Sequence, residues 1–331
     1  MDSLLKHYEK ELSYINKAAK TFAKRFPKIA GRLKLGADEL EDPLVERLIS
    51  AFAFLNARIQ NKLEDDFPQL SHALMDTLYP HYNRPIPPMS IVKFDARKGL
   101  KEAQFVPSGI ELETYTFEDK SCEFVTCYEL NLMPLVSDSV EILFRPFVAP
   151  LANQVAGNAV IHLKLNVTAS GTTLGDLKPD ALTFYIGGQD QRRYILYELL
   201  FTQLRAVVVA SENGSTNPVM LDPSNVRPVG FGAEQGRLPS PQTAFMGYRL
   251  LTEFFTFPDK FFFFTVKGLD RFEFPEGGNS FDLYFYLDNA DPELEHYLST
   301  DMFQLGCVPV VNLFNKTAEP IRLDHTKATH Q

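Results

Sequence analysis

Metal ligation is the first chemistry that the cysteines and histidines of this chain could supply. Cys122 and Cys127 lie five positions apart, without a second cysteine pair or a histidine cluster nearby. A tetrahedral zinc site needs four ligands at suitable spacing. His72 and His81 lie nine positions apart across a predicted helix end, which favours surface or interface histidines over ligands. The sequence therefore predicts no metal site.

Carboxylates and glycine-rich loops could instead support acid–base or nucleotide chemistry. The run Glu64-Asp65-Asp66 stands just ahead of Phe67-Pro68, a place typical of charge at the start of a helix. Residues 230–236 resemble a dinucleotide loop, but the third glycine comes one position late and no strand–helix–strand unit surrounds them. That favours an ordinary loop. His162 is expected on the polar, solvated face of a strand.

The sequence carries neither a phosphate-binding Gly-Lys-Ser/Thr loop nor a Gly-x-Ser-x-Gly nucleophile elbow. These patterns predict no catalytic residue and no cofactor. They indicate a protein that is not an enzyme.

Residues 247–264 combine many aromatic rings with one arginine, one lysine and two acids. Arg249 is expected to pair with a nearby acid, and Leu250 and Leu251 to pack inward. The run from Phe261 to Val266 is apolar at almost every position, which predicts a strand covered on both faces. We interpret the block as core of the fold. The alternative is that it is a docking strip for a partner.

Composition narrows the function classes further. The chain has 33 basic and 42 acidic residues, a net charge of −9, which disfavours binding to nucleic acid. Three cysteines without paired spacing suggest free thiols in a reducing compartment. The N-terminus lacks an apolar signal segment, and no apolar run approaches the ~20 residues that span a bilayer. We therefore expect a cytoplasmic protein without direct membrane insertion.

Two narrow apolar seams dominate the first eighty residues. A first helix, broken near Pro27, and a second helix that starts at Asp42-Pro43 carry apolar side chains at alternating steps of three and four. A third helix is predicted from about Pro68 to Leu78, capped by Asp66, with Leu70, Leu74 and Leu78 inward. The candidate interface residues on the two seams are Leu5, Tyr8, Leu12, Ile15, Phe22, Phe26, Val45, Leu48, Phe52, Leu55 and Ile59.

These seams allow two interpretations. The helices could form a self-contained hairpin that packs on the rest of the chain, or they could join a helical bundle built from several chains. Narrow seams are typical of coiled-coil packing, and a proline-rich stretch separates the helical region from the rest of the chain. Both points favour the multi-chain bundle.

After residue 88 the apolar period changes to two, which predicts strands. We predict an α+β fold, with an N-terminal helical bundle segment followed by a β-rich body of mostly antiparallel sheets. The expected parts are a helical segment (1–80), a proline-rich linker (81–88), a first β-rich domain (89–180) and a second with at least one helix (181–331). A hairpin turn is expected at Asn213-Gly214.

A further observation concerns segments 8–12, 29–33, 42–48, 52–59, 66–68, 78–87, 247–264, 307–314 and 318–324, taken in order along the chain. Together they resemble the TssF family (also called VasA or ImpG), baseplate subunits of type VI secretion systems. Family members normally continue well beyond the last of these segments.

The resemblance implies a cytoplasmic scaffold similar to the wedge proteins of contractile phage tails. It implies that two TssF copies assemble with one TssG, that this wedge contacts TssK and TssE, and that wedges surround the VgrG hub. A competing hypothesis is a non-catalytic module that binds carbohydrate or peptide on an exposed sheet face carrying Tyr284 and Tyr286.

Overall fold

The computed structural model of the chain divides into two compact units, Met1–Tyr82 and Asn83–Gln331. The structure describes residues 2–33, 42–65, 68–79, 82, 84–96, 100–115, 121–188, 190–211, 217–236, 238, 245–313, 315–318 and 320. The predicted cap at Asp66 and the predicted turn at Asn213-Gly214 lie outside these residues.

The first unit is helical, as predicted. Its helices are α1 (Asp2–Arg25), α2 (Pro27–Arg32), α3 (Pro43–Asp65) and α4 (Pro68–Leu78). Helix α1 ends before Pro27 because proline cannot donate the next backbone hydrogen bond, and the same proline then opens α2. At the start of α3 the Leu44 N–H donates to Asp42 Oδ1 over 2.9 Å, so Asp42 caps the helix, which confirms the start predicted at Asp42-Pro43.

Helices α1 and α3 pack against each other. Among the described residues of this unit, the buried hydrophobic side chains are small: Ala23, Ala30, Ala53 and Ala57. Small side chains at a helix contact allow the two axes to approach closely. The fully buried contact inside the unit is therefore made by small side chains. Most of the large apolar side chains of the unit stay exposed at its surface.

The second unit is built from antiparallel strands, as predicted. Its strands are β1 (Met89–Lys93), β2 (Gln104–Val106), β3 (Glu111–Glu113), β4 (Glu123–Thr126), β5 (Leu130–Leu132), β6 (Leu135–Phe144), β7 (Ala159–Val167), β8 (Ala181–Tyr185), β9 (Leu204–Ser211), β10 (Val219–Leu221), β11 (Val226–Val229), β12 (Phe263–Lys267), β13 (Ser280–Leu287) and β14 (Cys307–Val311). Its helices are α5 (Leu174–Leu177), α6 (Asp190–Thr202) and α7 (Met246–Thr256).

These strands form four sheets. Their orders are β1-β14-β4-β3, β10-β9-β13-β7-β6, β11-β12-β8 and β2-β5. Strands from both sides of residue 180 pair directly, since β7 pairs with β13 and β1 pairs with β14. The boundary that we expected near residue 180 therefore lies inside one compact unit.

Strand β13 lies at the centre of the five-stranded sheet and is buried along its whole length. One of its faces, with Phe281, Leu283 and Phe285, joins the main core, which agrees with the predicted alternation. The other face carries Tyr284 and Tyr286, only 6% and 0% exposed.

Residues Phe147, Ala149 and Leu151 pack over the Tyr284–Tyr286 face, and the Tyr286 hydroxyl donates to the Pro150 carbonyl. The hypothesis of an exposed binding face on these tyrosines is therefore wrong. The segment around Phe147 buries both tyrosines. The apolar–polar alternation of β13 cannot show that a distant segment covers its second face.

Candidate functional site

The candidate interface residues on α3 lie mostly at the surface of the helical unit. Leu48 is 72% exposed, Phe52 59%, Leu55 53% and Ile59 58%, whereas Val45 is partly buried. We call these five residues the α3 seam. Exposed apolar side chains in one row are typical of a protein interaction surface.

Helix geometry explains why the α3 seam is uncovered. At about 100° per residue, the seam lies roughly 140° around the helix from the face that carries Ala53 and Ala57. Both alanines are 0% exposed. Within this unit the small-residue face of α3 is covered, and the large-residue face is left open.

The six candidate residues of the first seam, which we call the α1 seam, divide between covered and exposed positions. Tyr8, Leu12 and Ile15 are partly buried, and Tyr8 makes an edge contact with Phe54 of α3 at 6.3 Å between ring centroids. The other three, Leu5, Phe22 and Phe26, are 57%, 36% and 44% exposed. The α1 seam therefore contributes both to the internal contact and to the open surface.

Helix α4 adds to the exposed apolar surface. Leu70, Leu74 and Leu78 are 62%, 54% and 68% exposed, so the expectation that they point inward is wrong within this chain. Their spacing predicts one apolar row, and spacing cannot show whether the covering surface belongs to the same chain.

A second exposed apolar face lies on α7 in the β-rich unit. Leu251, Phe254 and Phe255 are 57%, 45% and 78% exposed, while Arg249 and Glu253 are buried. The expectation that Leu251 packs inward is therefore wrong, and Leu250 is partly buried. Helix α7 turns its charged side chains into the fold and its apolar side chains outward.

Buried charges hold α7 in that orientation. Glu253 forms an ion pair with Lys260, which is 1% exposed, and accepts a hydrogen bond from the Leu238 N–H over 3.2 Å. Arg249 Nε lies 4.0 Å from Glu253 Oε1, as the predicted pairing requires. Burial lowers the pKa of Lys260, and its hydrogen bond and attraction to Glu253 oppose that shift.

The loop at residues 230–236 is part of the same arrangement. Arg249 donates to the carbonyls of Gly232 over 3.0 Å and Ala233 over 2.9 Å. A Cβ on Gly236 would stand 2.2 Å from the Arg249 guanidinium, so glycine is needed for this close approach. The loop caps a buried arginine and contains a 3₁₀ turn over Ala233–Gln235.

Phe261–Phe264 are buried, with exposed fractions of 6%, 3%, 1% and 0%. The prediction that this run belongs to the core is confirmed. Phe261 ends a 3₁₀ turn over Pro258–Phe261, and the strand itself starts at Phe263.

A second polar network flanks this aromatic run. Asp259 forms an ion pair with Arg193 of α6 and accepts from the Tyr185 hydroxyl over 3.0 Å. Burial, with a smaller contribution from Asp259, raises the pKa of Tyr185. The neighbours Asp259 and Lys260 thus anchor the run to two different helices, α6 and α7.

We expected His162 to be solvated. It lies instead in a polar cluster on the face of the five-stranded sheet that carries Tyr284. Its Nδ1 is 2.9 Å from Glu141 Oε1, and its Nε2 is 3.2 Å from Asp282 Oδ1. The ring stacks on Tyr284 with 4.5 Å between centroids. Burial tends to lower the pKa of His162, but Asp282 and Glu141 outweigh it, and the pKa is raised.

The remaining candidate ligands are dispersed. Cys122 is exposed, Cys127 and Cys307 are buried, and burial raises the pKa of the Cys307 thiol to about 11. His72 is exposed, and His81 lies outside the described residues. Within the described part of the chain, no three His, Cys, Asp or Glu side chains are placed to hold a metal ion. No helix of that same part is long and apolar enough to cross a membrane.

Comparison with known proteins identifies the family. A family model described as "Type VI secretion system, TssF" matches residues 1–331. The chain belongs to the TssF family. It is 33% identical, over 335 aligned residues, to the type VI secretion system component TssF1 of Pseudomonas aeruginosa PAO1. That alignment covers 99% of this chain but 54% of TssF1, so the chain spans about half the length of this curated relative.

A solved structure resembles the fold described above. It is a chain of the TssK-TssF-TssG baseplate subcomplex of a type VI secretion system, determined by cryo-electron microscopy. The two share 28% sequence identity and a TM-score of 0.67, over 84% of this chain and 51% of that chain. The TssF assignment therefore agrees with the resemblance seen in the sequence.

Proposed function

We propose that this TssF-family chain is a non-catalytic structural component of the type VI secretion baseplate wedge. Its helical unit joins helices of TssG and of a second TssF copy through the α3 seam and the exposed part of the α1 seam. The composition of the solved subcomplex, TssK with TssF and TssG, supports this assignment. The observation that carries it is the open row of large apolar side chains on α3.

The energetics favour a partner on this row. Full burial of a Leu, Ile or Phe side chain stabilises a protein by roughly 1.5–3 kcal/mol. Leu48, Phe52, Leu55 and Ile59 are each more than half exposed, so covering them contributes about 1 kcal/mol or more per side chain. The alanines in the contact between α1 and α3 bury less apolar area per residue, so that contact contributes less free energy per side chain.

The further contacts of the wedge belong to the same proposal. TssK lies against the assembled TssF–TssG unit, and TssE and the VgrG hub are reached from the same wedge. A ratio of two TssF copies to one TssG, a cytoplasmic location and the absence of enzymatic activity complete the proposal.

Charge placed in the α3 seam tests this function. Leu48→Asp with Leu55→Asp adds two negative charges at exposed positions, so the thermal midpoint of the chain alone should change little. Burying these charges against a partner would cost several kcal/mol. The variant should therefore lose TssG in a pull-down from co-expressing cells.

A matched control distinguishes the effect of charge placed in the α3 seam from the effect of a changed net charge of the protein. Arg47→Gln with Gln60→Asp also shifts the charge by −2, at exposed α3 positions outside the seam. The control should retain TssG. Full retention of TssG by the seam variant would overturn the proposal.

A further inference from the structure

The helical unit Met1–Tyr82 buries few large apolar side chains of its own. Among its described residues, the hydrophobic side chains that are buried are Ala23, Ala30, Ala53 and Ala57. The larger side chains of Tyr8, Leu12 and Ile15 are only partly buried. The free energy gained on burial scales with the apolar area removed from water, and an alanine methyl offers a small part of what a leucine offers. Packing inside this unit therefore contributes little to holding its helices together.

Helix α4 shows this most clearly when it is compared with α6 of the β-rich unit. The two helices have 11 and 13 residues. In α6 the side chains of Arg193, Leu196 and Leu200 are buried. In α4 no side chain at residues 70–78 is buried, and only Met75 is partly covered. Helices of this length are marginal in water by themselves, because most helical stability in proteins comes from the packing of one face.

Charge repulsion opposes the C-terminal half of α1. Residues 12–25 include no acid, whereas Lys17, Lys20 and Lys24 are all exposed. These lysines are three and four positions apart, so like charges lie next to each other on the helix surface. Lys24 lies in the last turn, where a cation favours the helix dipole, but Lys17 and Lys20 lie further inside the helix. The local sequence therefore adds little stability to this half of α1.

From these observations we propose that the helical unit folds completely only on assembly. In the free chain α1, α3 and α4 open locally at a much lower free energy than the helices of the β-rich unit. They become fully ordered when partner helices cover their exposed apolar rows, since the partners supply the large apolar contacts that the unit lacks. The identity of those partners, TssG and a second TssF copy, rests on the proposed function, whereas the opening in the free chain does not depend on it.

Coupled ordering makes the helical unit a conformational device. A segment that folds on binding loses its conformational entropy at that moment, so binding and ordering are one event. Elements that change state on binding are drawn from the least stable parts of a structure. The rigid surface of the helical unit therefore exists in the assembled state, while the β-rich unit is folded before assembly.

Hydrogen exchange in the full chain without any partner tests the local opening. Amide exchange is followed by mass spectrometry and corrected for the intrinsic rate of each sequence, and α6 is the matched helix inside the same molecule. The amides of α4 and those of residues 12–25 should each exchange at least tenfold faster than the amides of α6. A rate within tenfold of α6 for either segment would overturn the proposal.

Exchange in the complex purified with TssG tests the coupling. The amides of α1, α3 and α4 should exchange at least tenfold more slowly than in the free chain, and those of the buried strand β13 should change less than about twofold. The slowing should include the Ala53 and Ala57 amides. Their face of α3 is covered in the free chain, so a partner slows them only by ordering the helix.

Unchanged exchange of Ala53 and Ala57 in an intact complex would overturn the coupling. Failure of the proposed function has a different signature, because the variant Leu48→Asp with Leu55→Asp would then retain TssG. In that case the comparison of α4 with α6 in the free chain still decides whether the helical unit opens.

Discussion

Lys260 and Glu253 form an ion pair in which both side chains are withdrawn from water, at 1% and 0% exposed. Glu253 lies on α7 and Lys260 in the 3₁₀ turn after that helix. The pair forces one side of α7 into the fold. Since that side carries the charges of the helix, its aromatic and aliphatic side chains are left outside.

Breaking this pair should destabilise the β-rich unit strongly. Lys260→Met leaves the Glu253 carboxylate buried without its cation, which typically costs about 3–5 kcal/mol. The double variant Lys260→Met with Glu253→Leu should recover part of that loss, because the buried carboxylate is removed together with Lys260 and the remaining buried cation, Arg249, keeps its hydrogen bonds to the Gly232 and Ala233 carbonyls. Urea unfolding monitored by circular dichroism measures both free energies of unfolding.

The exposed pair of Arg205 and Asp288 serves as the control, with side chains 59% and 36% exposed. Arg205→Gln should change the free energy of unfolding little, since solvent screens such a pair. Equal effects of Lys260→Met and Arg205→Gln would contradict the structural role assigned to Lys260.

Two phenylalanines of the 247–264 segment, Phe262 and Phe255, should respond differently to truncation of the side chain. Phe262 is 3% exposed and lies in the main core, so Phe262→Ala should cost about 3–5 kcal/mol and lower the thermal midpoint. Phe255 is 78% exposed, so Phe255→Ala should leave the midpoint nearly unchanged. Differential scanning fluorimetry of both proteins checks this, and similar midpoints for the two variants would refute the core assignment.

Stability should depend on pH through His162. Glu141 on β6, Asp282 and Tyr284 on β13, and Lys164, which lies opposite Asp282, form its polar surroundings. A folded-state pKa raised above about 6.5 means that folding favours the protonated ring. This contribution is complete below about pH 6.5 and is lost as pH rises through the folded pKa.

The free energy of unfolding of the chain minus that of His162→Gln should therefore fall as pH is raised from about 6 to 8. Urea titrations of both proteins across this range give the difference at each pH. A difference that stays constant or increases with pH would show that the carboxylates do not favour protonated His162.

Local patterns in the sequence are sufficient for much of the fold. Asp42-Pro43 fixes the start of α3, and alternation in β7 separates Ile161 and Leu163 from His162 and Lys164. These features depend on neighbours within a few residues. The core position of Phe261–Phe264 also follows from composition, because four adjacent rings need cover from water.

Contacts between distant segments cannot be predicted in the same way. Tyr284 and Tyr286 are covered by residues near Phe147, more than a hundred positions earlier in the chain. The inward side of α7 is decided by Lys260 and by the loop around Gly232, and amphipathic spacing alone favours the opposite side. Spacing reveals the α3 seam, but it does not show that Ala53 and Ala57 make the internal contact instead.

Chemical labelling of a single seam position tests the assembly role of the α3 seam most directly. Leu55→Cys places a thiol on the exposed seam, and Cys122, which is exposed, provides an internal reference. Maleimide labelling is quantified by peptide mass spectrometry for the chain alone and for the complex purified with TssG. We expect rapid labelling of Leu55→Cys in the free chain and at least tenfold slower labelling in the complex, relative to Cys122. Equal labelling of Leu55→Cys in the free chain and in an intact complex would contradict the proposal that the α3 seam is the assembly surface.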